Sequence, residues 1–240
     1  MTFIQAEVFG GGGIAQYLDN TYDPVALYLL NDSLSDSSAS GFNDLSLETG
    51  TEQYADMGWG LRGFYFDGAS KLALTTDYPA LQITGDVTLE CIINFPFSAN
   101  ELHCQYCSAS GETLETNGLY QLSITANTRY LAYFAEYGSG VNISYSGSPK
   151  VVVAVSETVL VGMVRSSNVI TFYVNGKAIG DPSFTLNAPA GGTATHLAIG
   201  TALIDGGMIN SVKIVNSALT ADQMKAEFNR SLGPVLGELP

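Results

Sequence analysis

The stretch ITFYVNGKAIG, residues 170–180, decides how the rest of the chain reads. Ile170, Phe172 and Val174 alternate with Thr171 and Tyr173, the period-two pattern of a strand. Asn175-Gly176 follows. Both residues tolerate the positive φ of a type I′ turn, so ITFYV folds back on KAIG as a hairpin. Outward from this hairpin, short apolar runs recur between turn signals. VALYLL (25–30), GFYFDG (63–68), VTLECIINF (87–95), LYQLSITA (119–126), RYLAYFAEYG (129–138), VNISYSG (141–147), KVVVAVS (150–156) and VLVGMVR (159–165) precede it; THLAIG (195–200) and MINSVKIVN (208–216) follow. About a dozen strands with short connections predict an all-β fold of two packed antiparallel sheets. One helix is predicted over about 220–231, where Thr220 and Gln223 form a capping box ahead of Met224 and Phe228 at i and i+4.

The length of 240 residues suits one sandwich domain, and 46% hydrophobic against 13% charged residues supplies a core without disulfides or metals. The charge is unevenly spread: residues 1–120 hold 16 Asp and Glu against Arg62 and Lys71, whereas residues 121–240 hold seven acids and seven bases. No basic stripe exists to displace phosphate counterions, so nucleic acid is excluded as the main partner. The most apolar stretch, VVVAVSETVLVGMV (151–164), is too short to span a bilayer and is interrupted by Ser156, Glu157 and Thr158, so no membrane helix is predicted. The amino terminus MTFIQAEVFGGGG has neither a basic region nor a long apolar one and does not read as a secretory signal. Gly10 to Gly13 cannot sit inside a regular element without a large entropy cost, which divides the chain into an arm and hinge (1–21), a sandwich (22–231) and a tail (232–240). Phe3, Ile4, Val8 and Phe9 give the arm apolar anchors for a neighbouring copy or a particle surface.

VALYLLNDSLSDSSASGFND (25–44), FYFDGASKLAL (64–74), DVTLECIINF (86–95), ITFYVNGKAIG (170–180), LAIG (197–200) and MINSVKIVNSALTADQMKAEFN (208–229) resemble, in this order and spacing, the strands of laminin-G-like domains in the concanavalin A-like lectin/glucanase superfamily. The resemblance implies a concanavalin A-like jelly roll with a short C-terminal helix, and activities that run from glycan binding and adhesion to glycoside hydrolysis. The family's usual Trp in the third piece falls at Ile92, which implies a core repacked with a smaller side chain. Members often hold calcium at the rim. No full ligand set is matched here, so the metal stays unassigned, with calcium the one cofactor left open.

Candidate chemistry follows from residue types. Hydrolysis needs two carboxyl groups at a set separation. Glu112 and Glu115 are the nearest substitutes for an alternating pair, and at spacing three they would not share a strand face, so no catalytic residue is assigned. The two histidines, His103 and His196, lie in no Gly-x-Ser-x-Gly elbow. His103-Cys104-x-x-Cys107 would need Cys91 from another strand to build a zinc site; the preferred reading is packing, with Cys104 and Cys107 on opposite faces of a short strand. Asp36, Ser38, Ser40 and Gly41 copy the start of an EF-hand loop, but Leu47 stands where the bidentate Glu belongs, so a turn is preferred. Sugar binding uses aromatic platforms beside hydrogen-bonding groups. Trp59 in MGWGLRG, Tyr133 and Tyr137 on one strand face, and Asn142 beyond the next turn are the candidate ligand residues.

These readings predict a non-enzymatic protein. A fold usually found outside cells, on a chain without a visible secretory signal, is reconciled by a virion protein, assembled in the host cytoplasm and released by lysis. The expectation is a bacteriophage capsid or tail decoration, part of a larger assembly or a homo-oligomer, partnered by other virion proteins or neighbouring copies and by host glycans. An exported carbohydrate-binding or adhesion module is the alternative, and a glycoside hydrolase the third reading.

Overall fold

The computed structural model describes residues 17–39, 41, 44–74, 78–94, 102–107, 119–124, 131–137, 140–145, 157–179, 196–200 and 205–240. Phe3, Ile4, Val8, Phe9, the four glycines, Ser40, Glu112, Glu115 and the run at 150–156 lie outside them. In chain order the described strands are β1 (Ala26–Leu29), β2 (Ser46–Thr49), β3 (Tyr54–Gly58), β4 (Leu61–Asp67), β5 (Lys71–Leu74), β6 (Val87–Asn94), β7 (Leu102–Cys107) and β8 (Tyr120–Ile124). They continue as β9 (Leu131–Tyr137), β10 (Gly140–Tyr145), β11 (Thr158–Ser166), β12 (Val169–Val174), β13 (Lys177–Ile179), β14 (His196–Ile199) and β15 (Asp205–Val215). Helices α1 (Ala221–Ser231) and α2 (Gly233–Leu236) close the chain.

Two antiparallel sheets form the predicted sandwich. One runs β13-β12-β11-β6-β15-β4-β3, with β1 on the same edge of β15 as β4; the other runs β10-β9-β8-β7-β14-β5-β2. β15 serves both because it is long: its first half, to Ile209, pairs with β4 and Ser211 to Ile214 pair with β1, and a bulge between Ile209 and Ser211 interrupts its register with β6. The β12–β13 turn matches the sequence reading: Asn175 and Gly176 have φ of 48° and 73°, and the Asn175 side chain accepts the Leu160 N–H at 2.9 Å. β2, β3, β5 and β7 are the strands that the apolar runs leave out, β2 and β3 being polar and partly exposed.

Apolar side chains of both sheets fill the space between them, with Phe64, Phe66, Leu89 and Ile93 facing Leu122 and Leu197. Cys91 and Cys104 lie in this core. Arg165 is buried beside it and donates to the carbonyls of Gly85, Leu119 and Ile83 at 2.6, 3.0 and 2.9 Å, which satisfies three loop oxygens with one side chain.

The eight-stranded sheet is covered on its outer face as well. All eight residues of β6 are buried: Leu89, Cys91 and Ile93 turn inward, and Ile92 turns out beneath Phe228 and Leu232. Ile92, where the family's Trp was expected, therefore belongs to this outer packing rather than to the core between the sheets. Helix α1 carries both bonds of the capping box, Gln223 N–H to Thr220 Oγ1 at 3.2 Å and Thr220 N–H to Gln223 Oε1 at 2.8 Å. It seats Met224 on β11 at Gly162, where a Cβ would collide with the Met224 methyl.

The boundaries drawn at 21 and 232 need correction. Leu18 is buried in the outer cluster, so residues 17–21 pack on the body instead of belonging to a free arm. Leu232 is buried in the same cluster, α2 follows it, and Leu239 exchanges two hydrogen bonds with the Asn229 side chain at 2.8 and 3.2 Å. The tail is thus also part of the body.

Candidate functional site

The β3–β4 hairpin ends in a turn with three consecutive residues in the left-handed region: Gly58 at φ 83°, Trp59 at 58° and Gly60 at 79°. Glycine adopts these values freely; a bulky aromatic residue does so only against steric resistance. The Asp56 carboxylate accepts the Gly58 N–H at 2.7 Å and holds the turn. Trp59 is 55% exposed. A Cβ placed on Gly58 would meet nothing within 4 Å, so the glycine beside the indole borders open space. Three residues after Trp59, Arg62 pairs with Asp32 at 2.8 Å, both side chains about half exposed. Tyr54, one strand position before Ala55 on the same hairpin, stands edge-on to Phe64 at 5.6 Å and donates to Glu52 at 2.7 Å. Burial and then that hydrogen bond raise its phenol above the ordinary range. The result is a solvent-facing indole on the turn, with the Asp56 carboxylate in the turn and the Arg62–Asp32 pair at the start of β4, while Tyr54 and Glu52 lie at the other end of the hairpin.

The other candidate residues lie elsewhere. Tyr133 and Tyr137 are on β9, opposite Ser144 and Gly140 of β10, and Asn142 faces Ala135; Tyr133 also pairs with Leu122 of β8. The β9–β10 hairpin is one edge of the seven-stranded sheet, whereas β3 is an edge of the other. A four-residue link joins β2 to β3, so those two edges share one side of the sandwich and the β9–β10 edge lies on the other. The structure groups the tyrosines with Asn142 and separates them from Trp59.

The thiols follow the packing reading where they are described. Cys91 and Cys104 meet across the core, and their mutual hydrogen bond, followed by burial, pushes the Cys91 thiol well above its ordinary value. His103 stands opposite Ser123, and His196 opposite Cys107. Among the described residues no group of three or more His, Cys, Asp or Glu is placed to hold a metal ion. Asp36 spends its Oδ1 on the N–H groups of Leu27 and Ser38, at 3.0 and 2.9 Å, and Asp44 accepts the Asp36 N–H at 2.9 Å, which is the turn chemistry expected there.

Sequence reading missed a second polar constellation, beneath α1. Glu90 of β6 pairs in register with Lys213 of β15 and Gly162 of β11. Lys213 is fully buried and donates to Glu227 of α1 at 2.9 Å, with Asp19 at 3.8 Å. Arg230 bonds the same Glu227 oxygen and approaches Asp19 at 3.5 Å. The Tyr22 ring lies 5.5 Å from both Lys213 and Arg230. Burial, then the neighbouring Glu227 carboxylate, pushes Glu90 up to about 8; burial also raises Glu227, against the pull of Lys213. The signal was legible: Glu90 and Lys213 are lone charges inside apolar strands, at positions that antiparallel pairing sets opposite each other.

A laminin-G-type domain model, described as the concanavalin A-like lectin/glucanases superfamily, matches residues 66–225. No curated protein matches the sequence. Among solved structures, the binding domain of botulinum neurotoxin DC in complex with rat synaptotagmin II aligns at TM-score 0.61 and 12% identity, over 86% of this chain and 51% of that one. The binding domain of botulinum neurotoxin serotype G aligns at 0.64 and 11%, over 85% and 50%. Trypanosoma rangeli sialidase in complex with sialic acid aligns at 0.61 and 14%, over 92% and 34%. This chain spans about half the length of the neurotoxin domains and a third of the sialidase, and at such identities the likeness is one of fold. With two thirds of its length matched by the domain model, the chain belongs to the concanavalin A-like lectin/glucanase superfamily.

Proposed function

We propose that this protein is a non-enzymatic glycan-binding component of a bacteriophage surface, with Trp59 as its principal sugar platform. The observation that carries the glycan reading is the exposed indole on a turn whose backbone is unfavourable for tryptophan. Folding alone would select glycine or asparagine there, so the side chain is retained for what it meets outside the molecule. Sugar C–H faces stack on an indole while hydroxyls pair with flanking polar groups, and Arg62, Asp32 and Asp56 supply those groups. Tyr133, Tyr137 and Asn142 on the opposite edge form a second, separate contact strip. The carboxylates near Trp59 are engaged, Asp32 by Arg62 and Asp56 by the Gly58 N–H, which favours binding over acid–base chemistry. The acidic first half of the chain and the apolar Phe3, Ile4, Val8 and Phe9 suit attachment to a particle, as a decoration of capsid or tail with neighbouring copies beside it.

A second reading, an exported receptor-binding or adhesion module, draws support from the structural neighbours, among them the binding domain of botulinum neurotoxin DC in one complex with SialylT and in another with rat synaptotagmin II. One pair of measurements separates the two. Glycan-array binding tests the platform: Trp59→Ala should weaken binding about ten- to a hundredfold, the loss expected for uncovering one large aromatic contact. Unchanged binding by this variant would remove Trp59 from the site. Co-sedimentation with purified phage particles tests the location, and recovery of the protein only from culture medium favours the adhesion module.

A further inference from the structure

Every member of the buried constellation beneath α1 makes a hydrogen bond or an ion pair except one. Glu90 is fully buried, and neither of its carboxyl oxygens has a hydrogen-bond partner. The groups facing it are Lys213 from β15, Glu227 and Arg230 from α1, and Asp19 and Tyr22 from residues 17–22; β11 contributes Gly162 and no charge. Lys213 and Arg230 balance Glu227 and Asp19, so the cluster is neutral only while Glu90 keeps its proton. An ionised Glu90 would leave one uncompensated negative charge in a water-poor site, a cost of several kcal/mol that the structure must relieve.

The cluster has one movable anion. Glu227 is buried on a capped helix, whereas the Asp19 side chain is 49% exposed and sits on a short segment held to the body by Tyr17, Leu18 and Tyr22 and by the Asn20 amide donating to the Ser37 carbonyl at 2.8 Å. Asp19 already favours its charged form: burial raises its carboxyl, but hydrogen bonds from Thr21 and the nearby Lys213 and Arg230 outweigh that and lower it. Sending Asp19 into water restores neutrality. The segment ends at Tyr22, whose φ is 69°, and Asp23, the residue that follows it, has φ 46°, so the docked form holds backbone strain at its junction with the body.

We infer that residues 17–22 are a proton-operated latch, closed on the outer face of the eight-stranded sheet while Glu90 is neutral and opened when Glu90 ionises. The inference does not depend on what the Trp59 rim binds.

Hydrogen exchange of the full chain, followed by mass spectrometry at about pH 6 and about pH 9.5 and corrected for intrinsic exchange rates, tests it. Protection of a peptide covering residues 17–22 should fall at least about tenfold between the two, while the β11–β12 hairpin holds its protection. Glu90→Gln, isosteric with the protonated acid, should keep the latch protected at both pH values. Should that variant fold poorly, Asp19→Asn at its half-exposed site serves instead, because it removes the anion that leaves and should abolish the pH step. Equal latch protection of the parent protein at both pH values, or a pH step that survives Glu90→Gln or Asp19→Asn, overturns the inference.

Discussion

At β6 the eight-stranded sheet is buried on both faces, yet the two are built from different chemistry. Inward, Leu89, Cys91 and Ile93 belong to the apolar cluster that fills the space between the sheets, with the Cys104 thiol among its members. Outward, Glu90 and Ile92 alternate between an ionic cluster and the apolar patch under Phe228. A dry apolar interface gains stability with each group it buries and has no setting to change. An ionic interface contributes little net stability, since desolvation offsets attraction, but it fixes which partner docks and responds to protons. The contrast teaches that this sheet keeps permanence on one side and selectivity on the other.

The largest effect should come from unbalancing the ionic side. Lys213→Met leaves Glu227 buried with Arg230 alone and should cost about 3–5 kcal/mol in urea unfolding, whereas Lys213→Met combined with Glu227→Leu should recover most of the loss. A double variant no better than the single one would mean that the pair contributes net stability, and the contrast between the faces would fail. On the inner side, Gly200→Ala should cost about 2–4 kcal/mol, because the site has φ 73° and a Cβ there would overlap the Phe66 ring.

Next in size is a pH effect confined to the outer face. Glu90 is raised from 4.5 to about 8 on folding, so its contribution is fully present below pH 4.5 and is lost as pH climbs through 8. Stability should therefore decline across that window, by up to about 1.4 kcal/mol per pH unit from this group, and Glu90→Gln should flatten the slope. Titration of Tm against pH for the two proteins decides it. Cys104→Ala should cost roughly 1 kcal/mol as a small cavity, and chelators should leave Tm unchanged if the thiols only pack. The smallest change is expected at the rim: Trp59→Gly should alter stability by less than about 1 kcal/mol, in the stabilising direction, because glycine accepts φ 58° without strain.

What the sequence disclosed follows from how each feature is encoded. Strands such as β6, β11 and β12 carry their own signal, since alternation or unbroken apolarity is a local property, and Asn175-Gly176 and Thr220-Gln223 name their turn and cap by residue type. β2 and β3 were missed because SLET and YADMG are polar, partly exposed and strand-like only by pairing. The reach of the body was misjudged at both ends for a related reason: Leu18 and Leu232 become core residues only once the outer face of β6 exists to receive them. At the candidate rim, Trp59 stood out as an aromatic residue between glycines, but its separation from Tyr133 and Tyr137 is a matter of sheet order, which no local pattern contains.

Trp59 is also the only tryptophan among the 240 residues. Its indole already faces water in the native protein, so its emission will sit near that of free indole and will scarcely report unfolding, which must be followed by the tyrosines or by circular dichroism. The same placement makes it a background-free optical reporter. Any ligand that settles on the β3–β4 turn removes water from the one indole in the molecule, and a blue shift on mixing would reveal occupancy of that turn without a label.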